Sequence, residues 1–280
     1  MNYLDITESS FLGEVSIERL LFIFLMIALT NFIETTSYWS RLAGVRGQKI
    51  AISNSLYAMI SFGSRTATLF FIAPIGGIID RAVKGNFDPL HMLQFTLVGG
   101  VLGTALAIIF MPTIVKFYDI GVERLEKDGS IIRVFKFLIL SKEGLSALRS
   151  CWTPPRFEMV KKLKLDGVPK SMVILNIVLY TFFSMGAIAA YYAAWLNPEY
   201  MARASSLSPA INAVGAFLLL FFVDAQSAII VDRGLNRKIP MEVVRSAMVY
   251  LGISRFLGNI LAIFTLYPAA LGISFLTKFF

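Results

Sequence analysis

Polar positions are sparse along this chain, and the apolar residues between them come in long runs without strand-like alternation. Six runs are legible: Ile17–Ser40, Ile50–Ile79, Leu90–Phe117, Lys170–Leu196, Ser205–Val231 and Met241–Phe279. Each reaches the ~20 residues that a helix needs to cross a bilayer. In that medium the backbone must bond to itself, which a helix does. Asp80–Arg81 ends the second run, Asn197–Pro198 the fourth and Asp232–Arg233 the fifth. Pro268 predicts a kink or break near the end of the sixth. The pattern predicts an all-α integral membrane protein with six transmembrane helices.

Residues 118–169, between the third and fourth runs, read differently. Over Ile131–Arg149, Ile132, Phe135, Leu138, Ile139, Leu145 and Leu148 alternate with Arg133, Lys136, Lys142 and Arg149. This predicts an amphipathic helix lying on an anionic membrane surface, followed by Trp152 and a Pro154–Pro155 break. Anionic membrane lipids are therefore expected partners. The chain divides into a first membrane unit (1–117), this basic linker (118–169) and a second membrane unit (170–280).

Composition agrees: 56% of residues are hydrophobic and 16% charged, where soluble domains run near a quarter charged. The net charge of +8 is distributed unevenly. The loops after the first and fifth runs, with the linker, carry eighteen Lys and Arg; the opposite ends carry five (Arg19, Arg81, Lys84, Arg203, Lys278). The positive-inside rule places the richer side in the cytoplasm and both termini outside. The basic excess thus reflects membrane orientation rather than nucleic-acid binding. The stretch Met1–Glu18, with Asp5, Glu8, Glu14 and Glu18, lacks the basic segment of a cleaved signal peptide. The first run is accordingly expected to remain a helix.

The second and fifth runs align at an offset of 152, with Ser53, Ala58, Gly63, Phe70, Ala73, Ile78, Asp80 and Arg81 meeting Ser205, Ala210, Gly215, Phe222, Ala225, Ile230, Asp232 and Arg233. The third and sixth align at 155, where Leu102–Ile108 meets Leu257–Ile263. The first and fourth match poorly. A three-helix unit repeated in tandem sits inverted in its second copy, so an inverted three-plus-three repeat is expected, an architecture of transporters.

Cys151 and His91 are single, so neither a disulfide nor a Cys/His metal cluster can form within the chain. No Asp-rich motif or phosphate-binding loop is present. An enzyme is not expected, nor a cofactor. The notable chemistry is charge inside apolar runs, which is costly and normally faces a cavity or a partner. Arg65 lies mid-way along the second run, Arg255 and Arg245 in the sixth, Glu34 in the first and Asp224 in the fifth. Asn31, Glu34, Tyr38 and Arg41 share one helix face; so do Asn54, Tyr57, Ser61, Arg65 and Thr68. Arg245, Gly252, Arg255 and Asn259 form a looser stripe. Three stripes suggest a hydrated cavity, with Arg41 and Arg46 at its cytoplasmic mouth. Excess guanidinium without lysine suits phosphate or pyrophosphate, which it grips bidentately. Glu34 and Asp224 fit either of two roles, neutralising arginines or coupling transport to an ion. Ion-coupled transport of a small anionic solute is the alternative function. A homodimer is compatible with so small a transporter.

The stretch Glu34-Thr35-Thr36-Ser37-Tyr38-Trp39-Ser40-Arg41-Leu42-Ala43-Gly44-Val45-Arg46 resembles the signature of the Amj family of bacterial lipid II flippases, the alternates to MurJ. Ser64-Arg65-Thr66, Ala73-Pro74 with Gly76, Gly77 and Asp80, Leu207-Ser208-Pro209 through Phe222-Val223-Asp224, and Ser254-Arg255 resemble its later helices. Gly47 departs from the pattern, where a threonine is expected. The resemblance implies a multi-pass protein of the bacterial cytoplasmic membrane. Its implied task is to move undecaprenyl-pyrophosphate-linked peptidoglycan precursor from the inner to the outer leaflet. Arg41, Arg46, Arg65, Arg245 and Arg255 are then the expected substrate-binding residues, with Glu34 and Asp224 pairing with them.

Overall fold

A computed structural model describes residues 15–155, 163 and 166–279. Asp5, Glu8 and Glu14 of the acidic N-terminal stretch, the linker residues 156–162, and the side chains of Phe135, Leu138 and Ile139 lie outside the described residues. Among the described residues the chain is helical without strands.

Six spans are long and apolar enough to cross a membrane, and the chain is a multi-pass membrane protein. The first is α1 (Ile17–Arg46). The second is a broken pair, α2 (Ile50–Ala67) and α3 (Leu69–Gly85), joined at Thr68. The third is α4 (Leu90–Ile109) and the fourth α8 (Lys170–Leu196). The fifth is again broken: after a 3-10 turn at Pro198–Tyr200 come α9 (Met201–Ser206), α10 (Ser208–Leu218), a π-helical stretch (Leu219–Asp224) and α11 (Ala225–Leu235). The sixth is α12 (Met241–Leu276).

Several expectations are corrected. The first, second and fifth spans run past their expected ends, to Arg46, Gly85 and Leu235, so Asp80–Arg81 and Asp232–Arg233 lie inside helices rather than ending them. The third span ends at Ile109 rather than Phe117, because Pro112 sits in the first turn of a new helix, α5 (Met111–Asp128), where its missing N–H is tolerated. The amphipathic helix expected over Ile131–Arg149 is two helices, α6 (Ile131–Leu140) and α7 (Lys142–Cys151). Ser141 separates them and caps the second, its Oγ accepting from the Gly144 N–H at 2.9 Å. Pro268 lies within an uninterrupted α12. Proline is tolerated in a membrane helix where neighbouring groups re-satisfy the carbonyl it leaves free. The breaks fall instead in the second and fifth spans. Pro74 in α3 denies the Phe70 carbonyl its usual N–H partner, and Pro209 opens α10.

The most extensive helix contacts are α1 on α4 and α8 on α12. Glycine permits both. A Cβ at Gly103 would lie 2.0 Å from the Ala28 carbonyl oxygen, and one at Gly258 2.7 Å from that of Ile177. Small residues that let backbones approach this closely are the usual basis of helix packing in lipid. Two apolar cores result. One, around Ile23, Ile75, Leu93, Ile188 and Leu266, fills the end of the bundle that carries Val15 and Ile273. The other, around Trp39, Leu42, Met172, Leu179 and Leu251, fills the end that carries the linker. The buried charges sit between and just beyond them.

Candidate functional site, an arginine cavity between two apolar cores

All six spans contribute to one cavity of about 450 Å³ between the two cores. Its polar lining includes Asn31 and Glu34 of α1, Arg65 of α2, Tyr180 and Ser184 of α8, and Arg255 of α12. Residues 208–216 of α10 close the far wall. At this level the second and fifth spans have no extensive packing against each other. The Arg65 side chain is 41% exposed, while that of Arg255 is 3% exposed. The cavity therefore has a deep wall at Arg255 and an open flank at Arg65, between the two broken spans.

Arg65 and Arg255 share one carboxylate. Arg255 Nη2 donates to Glu34 Oε2 at 2.7 Å and to Asn31 Oδ1 at 2.9 Å. Arg65 Nε reaches Glu34 Oε1 at 3.4 Å. Two guanidinium groups against one carboxylate leave the layer with one net positive charge. Arg255 is also incompletely satisfied: its Nε and Nη1 are buried without a hydrogen-bond partner among the described residues. Each such group costs about 1–3 kcal/mol of desolvation. The Tyr180 ring, 4.1 Å from Arg255 Cζ, offsets part of that through a cation–π contact.

The layer is braced from behind. Asn259 Nδ2 donates to Asn31 Oδ1 at 3.2 Å, to the Gly100 carbonyl at 3.1 Å and to Thr104 Oγ1 at 2.8 Å. Asn176 Nδ2 holds Ser254 Oγ at 2.6 Å and the Leu251 carbonyl at 2.9 Å, beside Arg255. Tyr180 and Asn176 escaped the sequence reading, although Asn176, Tyr180 and Ser184 recur every four residues along the fourth span. None is charged, and so the stripe is easily passed over. Asn212 of α10, whose Oδ1 is buried without a hydrogen-bond partner among the described residues, also lines the cavity.

The α1 stripe read from the sequence divides between two layers. Asn31 and Glu34 reach the cavity, whereas Arg41 lies two turns nearer the linker end in a separate cluster. There Arg41 Nη2 pairs with Asp224 Oδ1 at 3.1 Å, its Nη1 bonds Ser227 Oγ, and its Cζ stacks 3.7 Å from the Tyr57 ring centroid. The Tyr57 hydroxyl donates to the same Asp224 oxygen at 2.9 Å. Asp224 is the last residue of the π-helical stretch, so this cluster fastens the fifth span to the first two. Tyr38 and Tyr180, hydroxyl to hydroxyl at 2.8 Å, bridge the two layers. Arg46 pairs with Asp119 at 3.1 Å in a shallow cleft at the linker end, and burial pushes the Asp119 carboxyl above its usual range while Arg46 opposes the shift. Arg245, half-buried on α12, is not among the residues lining the central cavity. Of the five arginines singled out, the structure brings together only Arg65 and Arg255.

The family model described as Amj, alternate to MurJ, matches residues 26–277. The chain belongs to the Amj family. That match takes in every charged position just described. The chain is also 30% identical over 264 residues to a Bacillus subtilis (strain 168) protein named lipid II flippase Amj, covering 94% of this chain and 98% of that relative. No solved structure matches. An Amj-family chain thus carries a positively charged cavity at the crossing of its six spans, flanked by the two spans that are broken.

Proposed function

We propose that this protein moves lipid II, or a related polyprenyl-pyrophosphate-linked glycan, from the inner to the outer leaflet of the bacterial cytoplasmic membrane, with Arg65 and Arg255 holding the pyrophosphate. The name of the Bacillus relative supports the substrate. The observation that supports the binding role is the pair of arginines on one carboxylate, with Arg255 Nε and Nη1 buried and unpartnered. Pyrophosphate oxygens supply what those groups lack, and guanidinium is the side chain suited to them. On loading, the two arginines exchange Glu34 for the two phosphate groups, each of which brings one negative charge. Glu34 returns when the substrate leaves, which keeps the empty cavity from holding two unpaired cations.

A cavity of this size seats the pyrophosphate and the sugar next to it, but not a disaccharide-pentapeptide. The rest of the headgroup passes as the second and fifth spans part, and the polyprenyl tail stays in lipid at the flank beside Arg65. Thr68 and the Leu219–Asp224 stretch are the positions where those spans can bend; π-helical segments recur at functional sites. With the linker end in the cytoplasm, Arg41 and Arg46 meet the substrate first, and the Arg41–Asp224–Tyr57 cluster closes the cavity from below. The chain is further read as two inverted three-helix units. Both middle spans are broken, and Gly103 and Gly258, which align at the offset of 155, make corresponding close contacts; these features support that reading.

In cells stripped of other lipid II translocators and kept alive by this protein, Arg65→Ala and Arg255→Ala are each expected to end growth while the protein remains in the membrane. Growth with both variants contradicts the binding role. Uptake of a soluble anion into proteoliposomes, with no change in lipid II exposure, favours the small-anion reading instead.

A further inference from the structure

A second cavity, of about 350 Å³, lies on the other side of α1 and α2 from the arginines. Phe32, Ile33, Leu56 and Ile60 form its span wall, and Ile114, Phe117, Gly121 and Leu125 of α5 its outer wall; Ile131 and Val134 of α6 close the linker end. Its polar side-chain groups, the Thr36 and Tyr118 hydroxyls, bond each other at 2.7 Å. A buried water needs several polar partners, and the groove offers only these two hydroxyls, already bonded to each other. Gly121 opens the groove, since a Cβ at that position would meet only Leu56 Cδ2, at 3.9 Å.

Basic side chains stand next in sequence to lining residues on the two helices that wall the groove, Arg124 beside Leu125 and Arg133 beside Val134. On α5, Asp119, Glu123 and Glu126 are taken by Arg46, Lys127 and Lys49, with Asp128 at the helix end; α6 carries no acidic residue. Arg124 instead stacks on Phe137, 3.6 Å from ring centroid to Cζ, and Arg133 and Lys136 are exposed on the adjoining turns of α6. A dry slot at membrane depth with a cationic rim on an interfacial helix is complementary to an amphiphile with one hydrocarbon chain inward and a negative headgroup outward.

We infer that this groove is a site for an anionic phospholipid, one acyl chain lying between α1, α2 and α5 and the phosphate resting against Arg124, Arg133 and Lys136. The inference is independent of the translocation reading, because α1 and α2 are bonded to each other between the two cavities through Ser64 to the Thr30 carbonyl and Ser61 to Ser37.

The test is native mass spectrometry of the full-length protein extracted from vesicles of equal phosphatidylglycerol and phosphatidylcholine. The wild type is expected to retain one phosphatidylglycerol after other lipids are stripped. Gly121→Phe, which fills the groove, is expected to lose it. The surface variant Arg124→Gln/Arg133→Gln/Lys136→Gln, which leaves the groove intact, is expected to cut the preference for phosphatidylglycerol about tenfold. Retention of neither lipid, equal retention of both, or phosphatidylglycerol retention unchanged in the two variants overturns the inference. So does retention of an added polyprenyl phosphate in its place, which makes the groove a seat for the substrate tail.

Discussion

Replacing Arg255 with alanine is expected to abolish lipid II translocation and to lower stability by about 3–5 kcal/mol, the cost of stranding one partner of a buried ion pair. The loss of stability is reversible by design. In Glu34→Ala/Arg255→Ala no carboxylate is left stranded in the cavity layer, and Arg65, already 41% exposed, can turn to the open flank. The double variant is therefore expected to regain most of the stability in thermal unfolding yet remain inactive in proteoliposomes carrying fluorescent lipid II. A purely structural Glu34–Arg255 pair predicts that activity returns together with stability. The two outcomes separate the roles, because only anion binding requires the guanidinium after its partner has gone.

The second large effect is expected at the other charge layer. Asp224→Asn keeps an oxygen for the Tyr57 hydroxyl but removes the charge facing Arg41, which is 6% exposed and whose Nε has no hydrogen-bond partner among the described residues. Leaving that cation buried alone costs about 3 kcal/mol, roughly a hundredfold in the opening equilibrium of the segment it fastens. Hydrogen exchange across residues 219–235 should accelerate by that order, while Asp232→Asn, at an exposed position on the same span, should leave it unchanged. Equal exchange in the wild type and Asp224→Asn means that packing alone holds the fifth span in place. In the proposed cycle the same pair is what a substrate arriving from the linker end must part.

Much of this was open to reading in the chain itself, for identifiable reasons. Length and hydropathy determine a membrane span almost alone, and all six runs became spans, Lys170–Leu196 to the residue. Arg65, Arg255 and Glu34 could be singled out because a charge in an apolar run is conspicuous, and they do share a cavity. What one chain cannot display is the relation between helices. Arg41 and Glu34 lie on one face of α1, yet two turns of helix put them in different layers with different carboxylate partners. The breaks in the second and fifth spans were hidden too. Pro74 and Pro268 look alike in sequence, and only one of them lies in a span that is interrupted. Uncharged members of the site, Tyr180 and Asn176, were masked by the apolar run around them, although their spacing matched the stripes on the other spans.

The central claim is that Arg65 and Arg255 bind the substrate pyrophosphate together. A structure of the protein loaded with a short-chain lipid II analogue tests it most directly. The expected result is a pyrophosphate within hydrogen-bonding distance of Arg65 and of Arg255 Nε or Nη1, with Glu34 displaced from at least one of them. A pyrophosphate bound elsewhere, with both arginines still on Glu34, contradicts it.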